Sequence, residues 1–328
     1  MVTQVIPQKK GLKKAAELIK SGEVVAFKTE TVYGLGADFS NPKAVEKIFK
    51  AKNRPCDNPL IVHLADAADA ELVARDIPKA YFELAEKFMP GPLTVVLKKR
   101  DTVPAIVTAG GDTVAVRVPD NAVVRKLIKL SAPLAAPSAN RSTHVSPTSA
   151  RHVAEDLDGI IPLILDGGEC NVGIESTVLD LTSEPARILR PGAVTAQMLS
   201  LVLMTGEEES PNAKIPKSPG VKYPHYAPRC ETWAALNLKA AKDAYDRAAA
   251  KGKKTVVLCL YDWQKPLEKR NAAVLGKTVR QFAKNYYAAL RNAEKTYDYI
   301  IIQGFSDGEL EHSLMNRITK SSGGKILD

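Results

Sequence analysis

The sequence predicts an α/β protein, a twisted mixed sheet with flanking helices followed by a small second α/β domain. Three observations predict it. Short apolar runs alternate with amphipathic helical segments along the first 200 residues. Two strand-like runs near 176–189 follow each other with no helix between them, which calls for antiparallel pairing. After a proline-rich stretch the alternation restarts on its own terms.

The elements follow in chain order. Leu12, Ala15, Ala16 and Ile19 share one face of a helix over 10–21, and a strand runs from Glu23 to Phe27. Thr29 to Gly36 reads as a polar turn. Asn41-Pro42 supplies an N-cap and first helical residue for a helix carrying Val45, Ile48 and Phe49. A strand at Leu60–Leu64 precedes a helix over 79–89 that Pro90-Gly91-Pro92 stops. Leu93–Leu97 and Val114–Val118 are strands, and Val123–Leu130 is helical. Ser146-Pro147 is expected to open the helix that runs through His152 and Leu157. Ile160–Leu165, Ser176–Leu181 and Arg187–Leu189 are strands. Residues 205–229 hold five prolines and read as an extended linker. Beyond it come helices over 236–251, 277–295 and 310–320, with strands at Thr255–Leu260 and Tyr297–Gln303, a βαβ-like domain with a parallel sheet. The expected organisation is therefore 1–204, a linker at 205–229, and 230–328.

Of 328 residues, 45% are hydrophobic and 25% charged, enough for two cores. No run reaches the length of a transmembrane helix, and Met1–Lys14 lacks an apolar signal region, so a cytoplasmic location is expected. The four cysteines show neither CxxC nor zinc-finger spacing, and no metal site is expected. Charge is divided: residues 1–213 carry 25 Lys+Arg against 26 Asp+Glu, and residues 214–328 carry 21 against 11. That basic excess is scattered along helices, as on a solvated surface, although a face for RNA or an acidic partner has the same composition.

Several familiar chemistries are excluded. The chain has no GxxxxGK[ST], no GxGxxG, no HExxH and no GxSxG. What remains are polar residues set among apolar strands. Lys52 and Arg54 end a helix, where cations are common anyway, yet two of them at i and i+2 can grip a polyphosphate. Ser138 and Asn140 follow an apolar stretch and suit either a turn or a phosphate contact. Arg117 and His63 interrupt strands, facing water or a cleft; in a cleft Arg117 can clamp a carboxylate bidentately.

Taken together, these motifs carry a resemblance. Thr29-Glu30-Thr31-Val32-Tyr33-Gly34-Leu35-Gly36, Lys52-x-Arg54-Pro55 with Pro59–His63, Pro90–Thr94, Val116–Pro119, Ala136–Asn140, Gly173–Thr177 and Leu189–Gly192 occur in this order. Over residues 10–200 the chain resembles the YrdC-type L-threonylcarbamoyladenylate synthases. Ser218–Pro228 and the tail resemble the two-domain branch of that family. The resemblance implies a YrdC-like first domain and a Rossmann-like second. It implies that L-threonine, bicarbonate and ATP, with Mg²⁺, give threonylcarbamoyl-AMP and pyrophosphate. The product then feeds a transferase complex that makes threonylcarbamoyladenosine in tRNA. It assigns the threonine site to Thr31, His63, Arg117, Ala136 and Ser176. It assigns ATP to Arg54, Asn58, Thr113, Ser138, Asn140, Ser146, Arg190 and Tyr226, with Lys52 and Arg54 catalytic. The linker is expected to close as a lid over a hydrolysable adenylate. Lys28 departs from the usual proline before this turn, and Thr143 from a common glycine.

No activated Ser or Cys is needed for such a reaction. The carbamate made from threonine supplies the nucleophile, so the protein positions reactants and stabilises charge. Two rivals remain. One is a carbamoyl-AMP-forming enzyme of the same superfamily, as in hydrogenase maturation, normally joined to further domains. The other is a non-catalytic RNA-binding or ribosome-associated module, with steep salt dependence and no pyrophosphate release.

Overall fold

A computed structural model of the chain describes residues 2–206, 217 and 226–328. Two compact units divide it: 1–142, 146–171 and 175–223 form the first, while 143–145, 172–174 and 224–328 form the second. Most of the expected linker, including Tyr223 and His225, lies outside the described residues.

The first unit begins with β1 (Gln4–Pro7), α1 (Gln8–Lys20), β2 (Val25–Lys28), β3 (Tyr33–Asp38) and α2 (Pro42–Lys52). It continues with β4 (Ile61–His63), α3 (Lys79–Phe88), β5 (Leu93–Lys98), α4 (Ala105–Thr108), β6 (Thr113–Arg117) and α5 (Ala122–Leu130). It ends with β7 (Leu134–Ala136), α6 (Ala150–Leu157), β8 (Leu163–Asp166), β9 (Thr177–Asp180), β10 (Ala186–Arg190), α7 (Ala196–Leu199) and β11 (Thr205–Gly206). The eleven strands form one sheet in the order β1-β8-β2-β3-β7-β4-β6-β5-β9-β10-β11. Parallel and antiparallel neighbours alternate irregularly along it: β4 runs parallel to β6, β6 antiparallel to β5, β5 parallel to β9, and β9 antiparallel to β10. The expected mixed sheet is what forms.

The pleat sorts its residues into two faces. Val62, Leu93, Val95, Val114, Val116, Ala135 and Leu179 point into the main core. Their neighbours Ile61, Val96, Ala115 and Val178 form a small apolar floor on the opposite face. Each buried Val or Leu contributes about 1.5–3 kcal/mol, so this register is firmly held. A one-residue slip of β6 would put the Arg117 charge in the core and Val116 on the floor side.

Strands such as β1 and the Glu231–Ala235 strand of the second unit are not expected from the sequence, and two expected elements take a different form. The polar turn stops at Val32, and Tyr33–Asp38 is strand β3, paired with β2 and β7. The sixth helix starts at Ala150, capped by the Ser149 side chain on His152 N–H, and Ser146 is not its cap. The residues between are spoken for elsewhere: Pro147 C=O accepts from Tyr33 N–H, and Thr148 C=O from Cys170 N–H. Carbonyls used this way cannot begin an i→i+4 ladder. The helix α2 is as read, with Asn41 Oδ1 accepting from Ala44 N–H.

The second unit holds β12 (Glu231–Ala235), α8 (Leu238–Ala250), β13 (Thr255–Cys259), β14 (Ala272–Val274), α9 (Val279–Ala293), β15 (Tyr299–Gln303), α10 (Glu309–Ser321) and β16 (Ile326–Leu327). Its sheet, in the order β14-β13-β15-β12-β16, is parallel throughout. Thr143 belongs to this unit and takes φ +72, a region that costs a β-branched residue strain and a glycine none.

Candidate active site

The register aligns the polar residues on the floor side of the first unit's sheet. His63 stands opposite Arg117 across β4 and β6, and Ile61 is flanked by Ala115 and by Ala136 of β7. In the antiparallel β5–β6 pair the register brings Thr94 opposite Arg117. Thr94 lies beside Val178 of β9, which pairs with Arg190 of β10. Thr113, four residues before Arg117, shares its face at the other end of β6, about 13 Å away.

At the C-terminal ends of β4 and β6 the anchor is Arg117, 4% exposed. Its Nη2 donates to Glu30 Oε1 at 2.6 Å and to Thr31 Oγ1 at 2.9 Å, and its Nε donates to Gly91 C=O at 3.3 Å. Glu30 Oε2 accepts from Asp120 N–H at 3.0 Å. The ion pair is buried on both sides. Since Nη2 is already committed to Glu30 and Thr31, Nη1 is left for a ligand, and a bidentate two-nitrogen clamp gives way to an end-on contact. The turn carrying Thr31 is fixed by Thr29, whose Oγ1 donates to Val32 C=O at 2.6 Å. Lys28 does not loosen it: Nζ donates to Gly167 C=O at 3.1 Å, and its own carbonyl accepts from Asn121 at 3.0 Å.

His63 is buried against Phe27, with ring centroids 6.1 Å apart at 76°. Burial, and next the Arg117 charge, lower its pKa to about 3, so the imidazole is neutral at physiological pH. In an unfolded chain it titrates near about 6.5. Below that pH the unfolded state takes up a proton the folded state refuses. Stability supplied by the neutral ring is therefore complete above pH 6.5 and is lost as pH falls toward 3, by about 2 kcal/mol at pH 5. Denaturant titrations between pH 6.5 and 4.5 should show a shallower pH slope for His63→Asn, by close to one proton; equal slopes contradict this.

At the opposite ends of the same strands, Arg54 Nη2 donates to Asn58 C=O at 3.2 Å and to Pro59 C=O at 3.0 Å, just before β4. Asn58 is buried, and its Oδ1 has no hydrogen-bond partner among the described residues. Lys52 Nζ donates to Ser138 C=O at 2.6 Å and to the Asn140 carbonyl, which braces the Ser138–Asn140 loop. Ser138 Oγ donates to Asn140 Oδ1 at 2.5 Å. The left-handed Asn53, φ +50, ends α2 between the two cations and lets them diverge.

Ser146 Oγ donates to Glu175 Oε1 at 2.7 Å. Arg190 donates through Nε to Ser176 C=O at 3.0 Å and through Nη2 to Ser176 Oγ at 3.1 Å. Tyr226 belongs to the second unit, where it stacks on Tyr287 with centroids 5.3 Å apart. Sequence reasoning missed Glu30, Thr94 and Glu175. The available signal was an acid between two threonines in a stretch otherwise read as a turn, since a buried carboxylate there requires a buried cation.

The Sua5–YciO–YrdC family model, described as "Telomere recombination", matches residues 17–192. A second model, "Threonylcarbamoyl-AMP synthase, C-terminal domain", matches residues 194–323. The chain belongs to the Sua5–YciO–YrdC family. Within this family, a threonylcarbamoyl-AMP synthase of Pyrococcus abyssi is 43% identical over 95% of this chain and 94% of its own. One from Bacillus subtilis is 40% identical over 95% and 93%. The crystal structure of P. abyssi Sua5 complexed with L-threonine superposes with a TM-score of 0.89 at 42% identity, covering 99% of this chain and 97% of that one. The second model carries the family match on through the C-terminal part of the chain. Among the described residues, no helix is long and apolar enough to cross a membrane.

Proposed function

We propose that this chain is a threonylcarbamoyl-AMP synthase, a nucleotidyl-transferring enzyme that joins L-threonine, bicarbonate and ATP and releases pyrophosphate. One observation carries the reading. Two polar clusters occupy opposite ends of the parallel strands β4 and β6, on the side away from the main core. Arg117, His63, Thr31 and Ser176 form the amino-acid end. Arg54, Asn58, Thr113, Ser138 and Asn140 form the nucleotide end. The about 13 Å between them spans an amino acid joined to an α-phosphate.

Arg117 Nη1 takes the threonine carboxylate, and Thr31 and His63 hold the hydroxyl and amine end. The threonine amine and bicarbonate condense to the carbamate with loss of water, and the carbamate oxygen then attacks the α-phosphorus and pyrophosphate leaves. Arg54 neutralises charge on the phosphates, and Lys52 keeps the Ser138–Asn140 loop in place beside them. Among the described residues no three His, Cys, Asp or Glu side chains are grouped to hold a metal. Mg²⁺ therefore enters with ATP as part of the substrate, on phosphate oxygens. The adenylate is passed to a downstream transferase acting on tRNA.

Pyrophosphate release from ATP tests the reading. It should require both threonine and bicarbonate. Release driven by carbamoyl phosphate favours the superfamily rival. Salt-sensitive RNA binding without any release favours the RNA-binding module.

A further inference from the structure

Helix α9 gathers three separated pieces of the chain on one face. The second unit takes in Thr143–Val145 and Val172–Ile174 together with the tail, and each of these pieces stops one peptide bond short of a buried polar residue: Val145 precedes Ser146, and Ile174 precedes Glu175. Arg291, 3% exposed near the C-terminus of α9, donates to the Val145 carbonyl through Nε at 3.1 Å and through Nη2 at 2.5 Å. About two turns earlier, Gly173 lies against the helix backbone. A Cβ there would meet Lys284 Cα and C=O at 2.5 Å and Ala283 C=O at 2.6 Å, and Gly173 takes φ +83, so only glycine fits. Between these contacts Tyr287 stacks on Tyr226, whose neighbour Ala227 donates from N–H to Thr143 C=O at 3.2 Å. Lys284, Tyr287 and Arg291 stand at i, i+3 and i+7, along one side of the helix over about 10 Å.

The two residues that follow these pieces are also tied to each other. Ser146 Oγ donates to Glu175 Oε1 at 2.7 Å in the first unit, with both side chains buried. The chain thus closes a circuit: Arg291 to Val145, Val145 to Ser146, Ser146 to Glu175, then back through Ile174 and Gly173 to Lys284. A buried guanidinium that aims two N–H donors at one carbonyl is a poor device for stability alone, because an apolar side chain of similar size is easier to bury. It does fix the direction in which the chain leaves Val145, and with it where Ser146 stands.

We propose that α9 is a positioning element for nucleotide binding: Arg291 holds Ser146 through Val145, and the close approach of Gly173 holds Glu175, so that the second unit sets the Ser146–Glu175 pair. Arg291 is thereby a positioning residue that acts through Ser146. Linkage makes the effect reciprocal, so nucleotide bound at Ser146 tightens α9 in return. This rests on the assignment of ATP to Ser146.

The test titrates the full chain calorimetrically with α,β-methylene-ATP, whose α–β bridge cannot be cleaved, and separately with L-threonine. Arg291→Met keeps an unbranched side chain and removes the donors. It should weaken α,β-methylene-ATP binding by about 10-fold and L-threonine binding by less than about threefold. Arg291→Lys, which keeps a donor for the carbonyl, should restore most of the nucleotide affinity. Hydrogen exchange on the wild-type chain needs no variant and serves if Arg291→Met does not fold. There α,β-methylene-ATP should slow exchange of the α9 amides over 283–291, and Arg291→Met at saturating nucleotide should lose that slowing. Unchanged nucleotide affinity in Arg291→Met, an equal loss of L-threonine affinity, or bound nucleotide with no slowing in wild-type α9 each overturns the proposal. Wild-type protein that binds no α,β-methylene-ATP removes the functional reading itself, a different outcome from nucleotide binding that leaves α9 unchanged.

Discussion

Arg117→Met is expected to abolish threonine-dependent pyrophosphate release, by about a thousandfold or more, and to destabilise the first unit by about 3–5 kcal/mol. The two effects have separate causes. Activity is lost because the substrate carboxylate loses its cation. Stability is lost because Glu30, buried with its Oε1 on Arg117 at 2.6 Å, becomes a charge without a counter-ion. A second substitution separates them. Arg117→Met with Glu30→Gln keeps an acceptor for Asp120 N–H and removes the stranded charge. That double variant should recover most of the denaturation midpoint and none of the activity. If Arg117→Met alone keeps the wild-type midpoint, the pair is not the anchor of this end. If the double variant also recovers pyrophosphate release, Arg117 does not hold substrate.

Much of this site could be read from the sequence, and the part that could not has a physical reason. Strands β4, β5, β6 and β9 are apolar runs bounded by turn residues, and alternation along β6 already set Arg117 opposite in facing to Val116. What alternation cannot say is whether the polar face meets water or another part of the chain. That depends on strand order, and β4 meets β6, and β5 meets β9, only through long crossovers. Glu30 was hidden for this reason: its partners Arg117 and Asp120 are almost ninety residues away. Ser146 misled because the segment Ser146-Pro147-Thr148-Ser149 contains two possible caps, and local propensity does not choose between them. The choice is made by Tyr33, whose N–H claims the Pro147 carbonyl. Strand β1 was missed because it is largely exposed and, among the described residues, pairs only with β8, which leaves no apolar period to detect. The Asn41 cap and the α2 helix were legible because each is decided by residues close in sequence, and the parallel tail sheet because its strands alternate with long helices that force crossover connections.

Arg54→Ala should remove nucleotidyl transfer, again by about a thousandfold, yet leave the fold in place. The side chain does two jobs at the entry to β4. Its charge faces the expected phosphates, and its Nη2 ties the carbonyls of Asn58 and Pro59. Losing the tie leaves two buried acceptors short of a donor and costs about 1–3 kcal/mol, too little to unfold a domain of this size. Arg54→Lys makes the distinction sharper. An ammonium restores a positive charge, but as a single compact point on a flexible stem it cannot keep the planar guanidinium's fixed geometry between carbonyls and phosphate. Arg54→Lys should therefore regain part of the stability while its turnover stays at least about tenfold below wild type. L-Threonine affinity should be unchanged in both variants, because the amino-acid end lies at the other end of the sheet face, about 13 Å away along β6. Near-normal pyrophosphate release from Arg54→Ala would mean that the phosphates are held by other groups. Loss of L-threonine binding in the same variant would mean that the two ends of the sheet face are not independent sites.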